Sequence, residues 1–338
     1  MIKRKEVLVT GADGLLGSNV VRELLEQGDR VRVLVQPGSK AQALNGLPLR
    51  IFKGDLLDDP AELQKAVSGC DTVIHCAAIT DFSADPDLVQ RVNVEGTRNI
   101  MDSCLSTGVG RFIHVGSASS FQFGGLENPG DEEGGFPEVY EGIHYMRTKY
   151  EAMNLVKDYV ESFDLNAIIM APTFMFGPHD SRPSSGEMIR QFIINNMIVT
   201  APGGRNFVHV KDVARAIVAA QEKGRQGESY IVGGENLSYL EFFSKVARIT
   251  GQSAPRVAVP KLLLYVGGLA ARVYEGLAGK RLIFNLSIAV SSSLHAYYSS
   301  NKAERELGLT HSSLDDAIRD SLQSLVEYGH LEEDQWKN

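Results

Sequence analysis

Three glycines spaced three apart, Gly11, Gly14 and Gly17, follow the short apolar run Val7-Leu8-Val9, and a helical pattern begins at once behind them. No other feature limits so strongly what the chain can fold into. The β-branched run predicts a buried strand. Leu16, Val20, Leu24 and Leu25 fall on one face of a helix that Gly28 closes. In a strand–turn–helix unit of this kind each glycine has its own task. Gly11 permits the tight turn, Gly14 lets the backbone approach a pyrophosphate, and Gly17 lets helix and strand pack closely. The helix N-terminus offers N–H groups and a positive dipole end to the phosphates. A glycine-rich turn by itself is only a tight loop; its place between the first strand and the first helix makes a dinucleotide site the expectation.

Strand and helix patterns alternate beyond Gly28. Residues 31–35, 49–52, 72–76, 111–115 and 166–170 read as strands, with helices expected at 60–67, at 93–105 and from Tyr145 onward. Strands this apolar, separated by helices, imply a parallel sheet covered on both faces. Ligands of such sheets sit at the carboxyl ends of the strands, where Gly11, Asp55, Ala77 and Ser117 fall. After Pro172 the pattern changes to a turn-rich stretch, a helical patch at 188–194, a helix at 210–223, a strand at 229–232 that could rejoin the sheet, and a mostly helical remainder. The expected architecture is an α/β, Rossmann-type doubly wound parallel sheet formed by residues 1–172 and 206–235. Residues 173–205 and 236–331 form a smaller, mostly helical substrate lobe, and 332–338 a frayed tail.

Composition sets outer bounds. With 338 residues, a net charge of −8 and no basic stripe, the chain does not suit nucleic acid as its main partner. No apolar run approaches a membrane span, and the first strand leaves no room for a signal peptide, so a cytoplasmic protein is expected. Cys70, Cys76 and Cys104 read as small buried hydrophobes in a reducing compartment. No Cys-x-x-Cys or His-Glu-x-x-His spacing supports a metal site.

The chemistry-bearing residues are Ser117, Tyr145 and Lys149. Tyr145 and Lys149 lie four apart at a helix start and so project from one face. An ammonium beside a phenol favours the phenolate and lowers its pKa, which fits the tyrosine for proton transfer near neutral pH. Ser117, at the end of the fifth strand, brings a hydroxyl that can hold a substrate oxygen. Any helix can carry Tyr-x-x-x-Lys by chance; here the pair lies between strands five and six of an expected dinucleotide fold.

Taken together, several segments resemble the extended short-chain dehydrogenase/reductase family over nearly the whole chain. They are Thr10-Gly11-Ala12-Asp13-Gly14-Leu15-Leu16-Gly17, Gly54-Asp55-Leu56, His75-Cys76-Ala77-Ala78, Asn93-Val94-Glu95-Gly96-Thr97, Tyr145-Met146-Arg147-Thr148-Lys149, Phe176-Gly177-Pro178 and Val208-His209-Val210-Lys211-Asp212. The branch it is most similar to is that of dihydroflavonol reductases and 3β-hydroxysteroid dehydrogenases. The resemblance implies Tyr145 as general acid/base, Lys149 on the ribose hydroxyls, Ser117 on the carbonyl or hydroxyl oxygen, and Asn93 supporting a water or the helix that carries it. It implies cofactor contacts from Gly11, Asp13, Gly14, Leu15, Leu16 and Gly17 in the loop, and from Gln36 and Lys40 after strand two. Asp55 and Leu56 would flank the adenine, Ala77 and Ala78 the ribose and pyrophosphate, Pro172 and Phe174 the nicotinamide. His75, His114, His144 and His179 are taken as satisfied structural histidines.

The end of strand two, Leu34-Val35-Gln36, lacks the acid that usually binds a ribose 2′-hydroxyl, and Lys40 is near enough to meet a phosphate. NADP(H) is therefore expected, with NAD(H) the alternative; many reductases of this branch have an arginine where Gln36 stands. The leading functional expectation is an oxidoreductase moving a hydride between NADP(H) and a hydrophobic ketone, aldehyde or alcohol. A nucleotide-sugar epimerase or dehydratase is the alternative, kept open by Arg205-Asn206-Phe207, and a non-catalytic dinucleotide-binding sensor is the third. Phe82, Phe121, Phe176 and Arg205 are candidate substrate residues. The apolar stretch 257–288, with Leu262-Leu263-Leu264-Tyr265-Val266 and Leu282-Ile283-Phe284, would roof the pocket or else serve as lobe core, dimer surface or membrane contact. Homodimers through a helix pair are common among such folds.

Overall fold

The strand–helix alternation folds in the order β1 (Glu6–Thr10), α1 (Leu15–Glu26), β2 (Arg30–Val35), β3 (Arg50–Lys53), α2 (Pro60–Val67), β4 (Thr72–His75), α3 (Pro86–Gln90), α4 (Gly96–Thr107), β5 (Arg111–Val115), α5 (His144–Phe163), β6 (Ala167–Pro172). The chain continues with β7 (Phe174–Phe176), α6 (Gly186–Asn195), β8 (Val199–Thr200), β9 (Gly204–His209), α7 (Val210–Lys223), β10 (Ser229–Val232), β11 (Glu235–Ser238) and α8 (Tyr239–Thr250). It ends with β12 (Val257–Ala258), α9 (Lys261–Ala278), α10 (Leu286–Ser292), β13 (His295–Ala296), α11 (Asn301–Leu307) and α12 (Leu314–Glu327). This computed structural model describes residues 4–278 and 286–336.

The main sheet has seven parallel strands in the order β3-β2-β1-β4-β5-β6-β10. The order reverses between β1 and β4, so a crevice opens at their carboxyl ends. The expected strand at 229–232 does rejoin the sheet, beside β6. The two-residue period of β1 shows how both faces are covered. Val7 and Val9 join α1 and α7 in one core, while Leu8 joins α2, α4 and α5 in the other.

Two local expectations need correction. The helix expected at 93–105 starts earlier, at Pro86, and passes through a π-helical turn, Arg91–Glu95, before α4. The turn-rich stretch after Pro172 contains β7. The remainder after Leu237 is mostly helical, as expected, with short strands among the helices. Four short strands, β7, β9, β11 and β13, form a second sheet in which β9 pairs with the other three. Strands of two to four residues carry too little periodicity to be read locally; their existence depends on β9 lying between them. A third core, with Phe176, Phe192, Phe207 and Phe242 at its centre, lies between this sheet and α6, α8 and α12. Beyond α12, Glu333–Gln335 form a 3₁₀ turn and Trp336 packs against that core.

Candidate active site

The glycine loop has the geometry its spacing implied. Gly11 sits at φ 62°, and a Cβ there would lie 2.6 Å from the Cα of Ala77, so the turns after β1 and β4 touch backbone to backbone. A Cβ on Gly17 would run into the Gly11 carbonyl oxygen. Gly14 differs from both, since a Cβ there would meet only that same oxygen, at 3.4 Å, and its other side is open. Helix α1 begins directly after Gly14 with no side-chain cap. An open backbone before an uncapped helix N-terminus fits a pyrophosphate, which would take those N–H groups.

Farther out, Leu56 is buried against Gly96, where a Cβ would stand 3.0 Å from the Leu56 Cβ. The Gln36 amide donates to Asp55 Oδ2 at 2.8 Å, and Lys40 is exposed. Asp13 accepts a 2.6 Å hydrogen bond from the Ser39 hydroxyl and a 2.9 Å ion pair from Arg182. Arg182 had no place in the sequence reading. It arrives from the loop after β7, and no local signal announces so distant a contact.

Ser117 closes β5 and caps the short turn behind it, accepting from the Ser119 N–H at 3.3 Å. Tyr145 and Lys149 sit on the first two turns of α5, and the phenol of Tyr145 lies near enough to Ser117 to feel its hydroxyl. Burial raises the Tyr145 pKa, while the nearby Ser117 hydroxyl and the positive charge of Arg205 act to lower it. Lys149 is not among the groups acting on Tyr145 here. Its buried ammonium donates instead to the Val115 carbonyl at 2.6 Å, and burial pushes its pKa down to about 8. Asn93 lies in the π-helical turn. Its side chain accepts from the Ile79 N–H at 2.8 Å and donates to the Ile79 carbonyl and the Thr148 hydroxyl, both at 3.0 Å. It thus ties the chain leaving β4 to the helix that carries Tyr145 and Lys149.

A cavity of about 450 Å³ opens on Tyr145, with Phe82, Val89, Val139, Ile143, Leu286 and Val290 among its walls. The ring of Phe82 lies 5.5 Å from that of Tyr145. Two other expected substrate residues face elsewhere. Phe121 is 1% exposed and packs beneath the sheet, and Phe176 is fully buried and stacks on Phe242 with ring centres 5.0 Å apart. Each lies next to a site segment in sequence, but its side chain completes a core.

Arg205 donates to the Tyr239 hydroxyl at 2.7 Å and stands over the Phe174 ring. Phe174 itself is partly buried against the third core. Pro172, the last residue of β6, is buried beside Val232.

The stretch 257–288 divides. In α10, Leu286 and Val290 do line the cavity, whereas Leu262, Leu263, Val266 and Leu269 of α9 are exposed, between 56% and 73%. Leu282, Ile283 and Phe284 lie outside the described residues. Of the histidines, His75 is satisfied by Thr10 and Thr97 at 2.8 and 3.1 Å. His114 is buried with neither ring nitrogen paired, Nδ1 of His179 is unpaired too, and His144 is exposed. Satisfied structural histidines were therefore the right reading for His75 and not for His114.

The family model of the NAD dependent epimerase/dehydratase family matches residues 7–233 of this chain. The chain belongs to that family. Within it the chain falls in the extended short-chain dehydrogenase/reductase branch, as the sequence motifs implied. It is 31% identical to a Synechocystis sp. protein named "Putative dihydroflavonol 4-reductase", over 96% of this chain and 95% of that one. It is 32% identical to the sterol demethylase protein B of Methylococcus capsulatus, over 96% and 99%. Among solved structures, that of gox2253 superposes with a TM-score of 0.86 at 33% identity, covering 97% of this chain and 100% of that one. This member of an NAD-dependent family is an enzyme of the kind that acts on hydroxyl and keto groups. Among its described residues no helix is long and apolar enough to cross a membrane.

Proposed function

We propose that the enzyme transfers a hydride between NADP(H) and a hydrophobic ketone or aldehyde, or the matching alcohol in reverse. The observation that carries this reading is the cavity, walled by Phe82, Val89, Val139, Ile143, Leu286 and Val290, that opens on the Tyr145 phenol beside Ser117. Aromatic and aliphatic walls favour an apolar substrate, and the two hydroxyls orient its one oxygen. Residues 1–172 and 206–235 hold the dinucleotide, and 173–205 with 236–331 shape the substrate end. When bound, the nicotinamide gives or takes the hydride. Tyr145 gives the substrate oxygen a proton in reduction and takes it in oxidation. Ser117 donates a second hydrogen bond to that oxygen. Lys149 leaves Val115 for the ribose hydroxyls and brings its charge to the phenolate. Asn93 is a positioning residue, holding the start of α5 against the chain after β4.

NADP(H) is favoured because no acid ends β2 and because Lys40, Ser39 and Arg182 stand on the adenosine-ribose side; Asp13 is the opposing charge. Arg182→Ala is expected to weaken NADP(H) binding about tenfold and leave NAD(H) unchanged. Wild-type affinity tenfold higher for NAD(H) would overturn the choice.

One observation favours a second reading. Arg205 acts electrostatically on Tyr145, and its partners among the described residues, Tyr239 and Phe174, are uncharged. A half-buried cation so placed suits an anionic substrate group such as a sugar-nucleotide phosphate. The deciding experiment follows NADPH and NADH oxidation against a panel of aromatic and aliphatic ketones, with UDP-sugars tested for binding and product. Turnover of apolar ketones supports the reductase. Micromolar affinity for a UDP- or dTDP-sugar, abolished by Arg205→Ala, establishes the epimerase class instead. The three free cysteines support a reducing, cytoplasmic setting.

A further inference from the structure

Helix α9 is built with its small residues inward and its large ones outward. Gly268 and Ala271 are buried, and a Cβ on Gly268 would lie 2.8 Å from the Ala289 Cβ and 3.1 Å from the Leu286 Cα of α10. The two helices therefore meet almost backbone to backbone, with the Tyr265 hydroxyl hydrogen-bonded to that of Ser293 at 2.7 Å. The opposite side carries Leu262, Val266, Leu269 and Val273, spaced by four, three and four residues, with Leu263 and Tyr274 beside them. All six are more than half exposed. A continuous stripe of this kind marks a surface meant to be covered, unlike scattered exposed apolar residues.

Charge indicates what covers it. The chain carries a net charge of −8, yet residues 256–281 hold five cations, Arg256, Lys261, Arg272, Lys280 and Arg281, against the one acid Glu275. Arg256 and Lys261, at the start of the helix, are exposed. An anionic lipid surface accepts both the apolar stripe and the exposed cations Arg256 and Lys261 beside its start. No described helix is long and apolar enough to cross the bilayer, so this one lies in its plane.

We propose that α9 docks the enzyme on an anionic membrane surface. The same helix pair joins that surface to the chemistry, because Leu286 and Val290 of α10 line the cavity that opens on Tyr145. An apolar substrate dissolved in the bilayer would then reach the site without crossing water. That delivery step rests on the proposed reaction; the docking does not.

The test is flotation of the full chain with phosphatidylcholine vesicles and with equal mixtures of phosphatidylcholine and phosphatidylglycerol, alongside light scattering of the free protein. Wild type is expected to float with the mixed vesicles, at least about tenfold more strongly than with phosphatidylcholine alone, and to be released by salt. The double substitution Leu262→Ser with Leu269→Ser should abolish flotation with an unchanged circular dichroism spectrum. Arg256→Gln with Lys261→Gln should weaken it in mixed vesicles only. Three results would overturn the proposal: no flotation of wild type, flotation indifferent to the α9 substitutions, or a vesicle-indifferent dimer that the serine variant dissociates. None of them bears on ketone reduction, so the docking and the reaction can fail separately.

Discussion

The two longest helices dispose of their apolar residues in opposite ways. Over twenty residues, α5 turns Met146, Ala152, Met153 and Val156 inward and takes Thr148 and Lys149 inside with them. Over eighteen residues, α9 buries Gly268 and Ala271 and leaves Leu262, Leu263, Val266, Leu269 and Val273 in water. Both show apolar spacing in the sequence, and both were expected to serve the active site. The contrast teaches that periodicity identifies a helix and its stripe, while the neighbouring element decides which side is covered. The stripe of α5 meets the sheet. That of α9 meets nothing among the described residues, because the close approach at Gly268 commits the other face to α10.

The comparison is tested most severely at the inward face of α5. Tyr145→Phe removes the proton donor while keeping the ring beside Phe82, so turnover should fall by roughly two to four orders of magnitude. Cofactor affinity, measured by fluorescence titration, should stay nearly unchanged. A variant with near wild-type rate would deprive α5 of its chemical role and leave the two helices alike.

Next in size is Phe176→Ala, expected to cost about 3–5 kcal/mol of stability in denaturant melts, since its ring is fully enclosed by Phe207 and Phe242. Phe82→Ala should raise KM with far less loss of stability, because that ring lines the cavity. If Phe176→Ala acted on KM alone, the phenylalanine would belong to the pocket after all.

These two phenylalanines also mark where the sequence could be read. The loop 11–17 was legible because its constraint is local. Gly11 must tolerate a positive φ and Gly17 must admit a carbonyl, and no other residue type does both tasks. The parallel sheet followed from apolar runs separated by helices. Tyr145, Lys149 and Ser117 were legible because their spacing is set by one helix turn and one strand end. Phe176 and Phe121 were misread because adjacency in sequence does not decide which layer receives a side chain. Arg182 could not be found at all, since its partner Asp13 lies far from it in the sequence, in the first loop of the chain. The surroundings of Lys149 without cofactor were not legible either. Lys149 has the right spacing, but a carbonyl 2.6 Å away holds its ammonium, and the cation acting on the phenol is Arg205.

Lys149→Met sharpens the contrast by separating function from stability on one helix. Burial lowers the lysine pKa from the ordinary 10.5 to about 8, so between those values the unfolded chain holds a proton that the folded chain lacks. Stability of the cofactor-free wild type should therefore rise with pH from about 8 toward 10.5, and the rise should vanish in the variant. At pH 7 the variant should be more stable by about 1–3 kcal/mol, because a buried charge with one carbonyl partner gives way to an apolar chain of similar length. Its activity should collapse. Melts at several pH values check the sign, and a variant less stable than wild type at neutral pH would mean that the Val115 hydrogen bond outweighs the desolvation.

The smallest expected effect lies on the outward face of α9. Leu262 is 73% exposed, so Leu262→Ala removes little buried area and exchanges one good helix former for another. Its denaturant midpoint in the absence of lipid should stay within about 0.5 kcal/mol of wild type, the range for surface positions. A leucine of the inward kind costs several times more on truncation, as cavity formation adds to the lost transfer energy. A loss above about 2 kcal/mol at Leu262 would therefore show the side chain to be covered within the free protein. The stripe of α9 would then be core like that of α5, and the surface proposed to meet a membrane would not exist. Unchanged stability in solution, together with lost flotation in the serine variant, leaves α9 as a helix whose apolar face is satisfied only by something outside the chain.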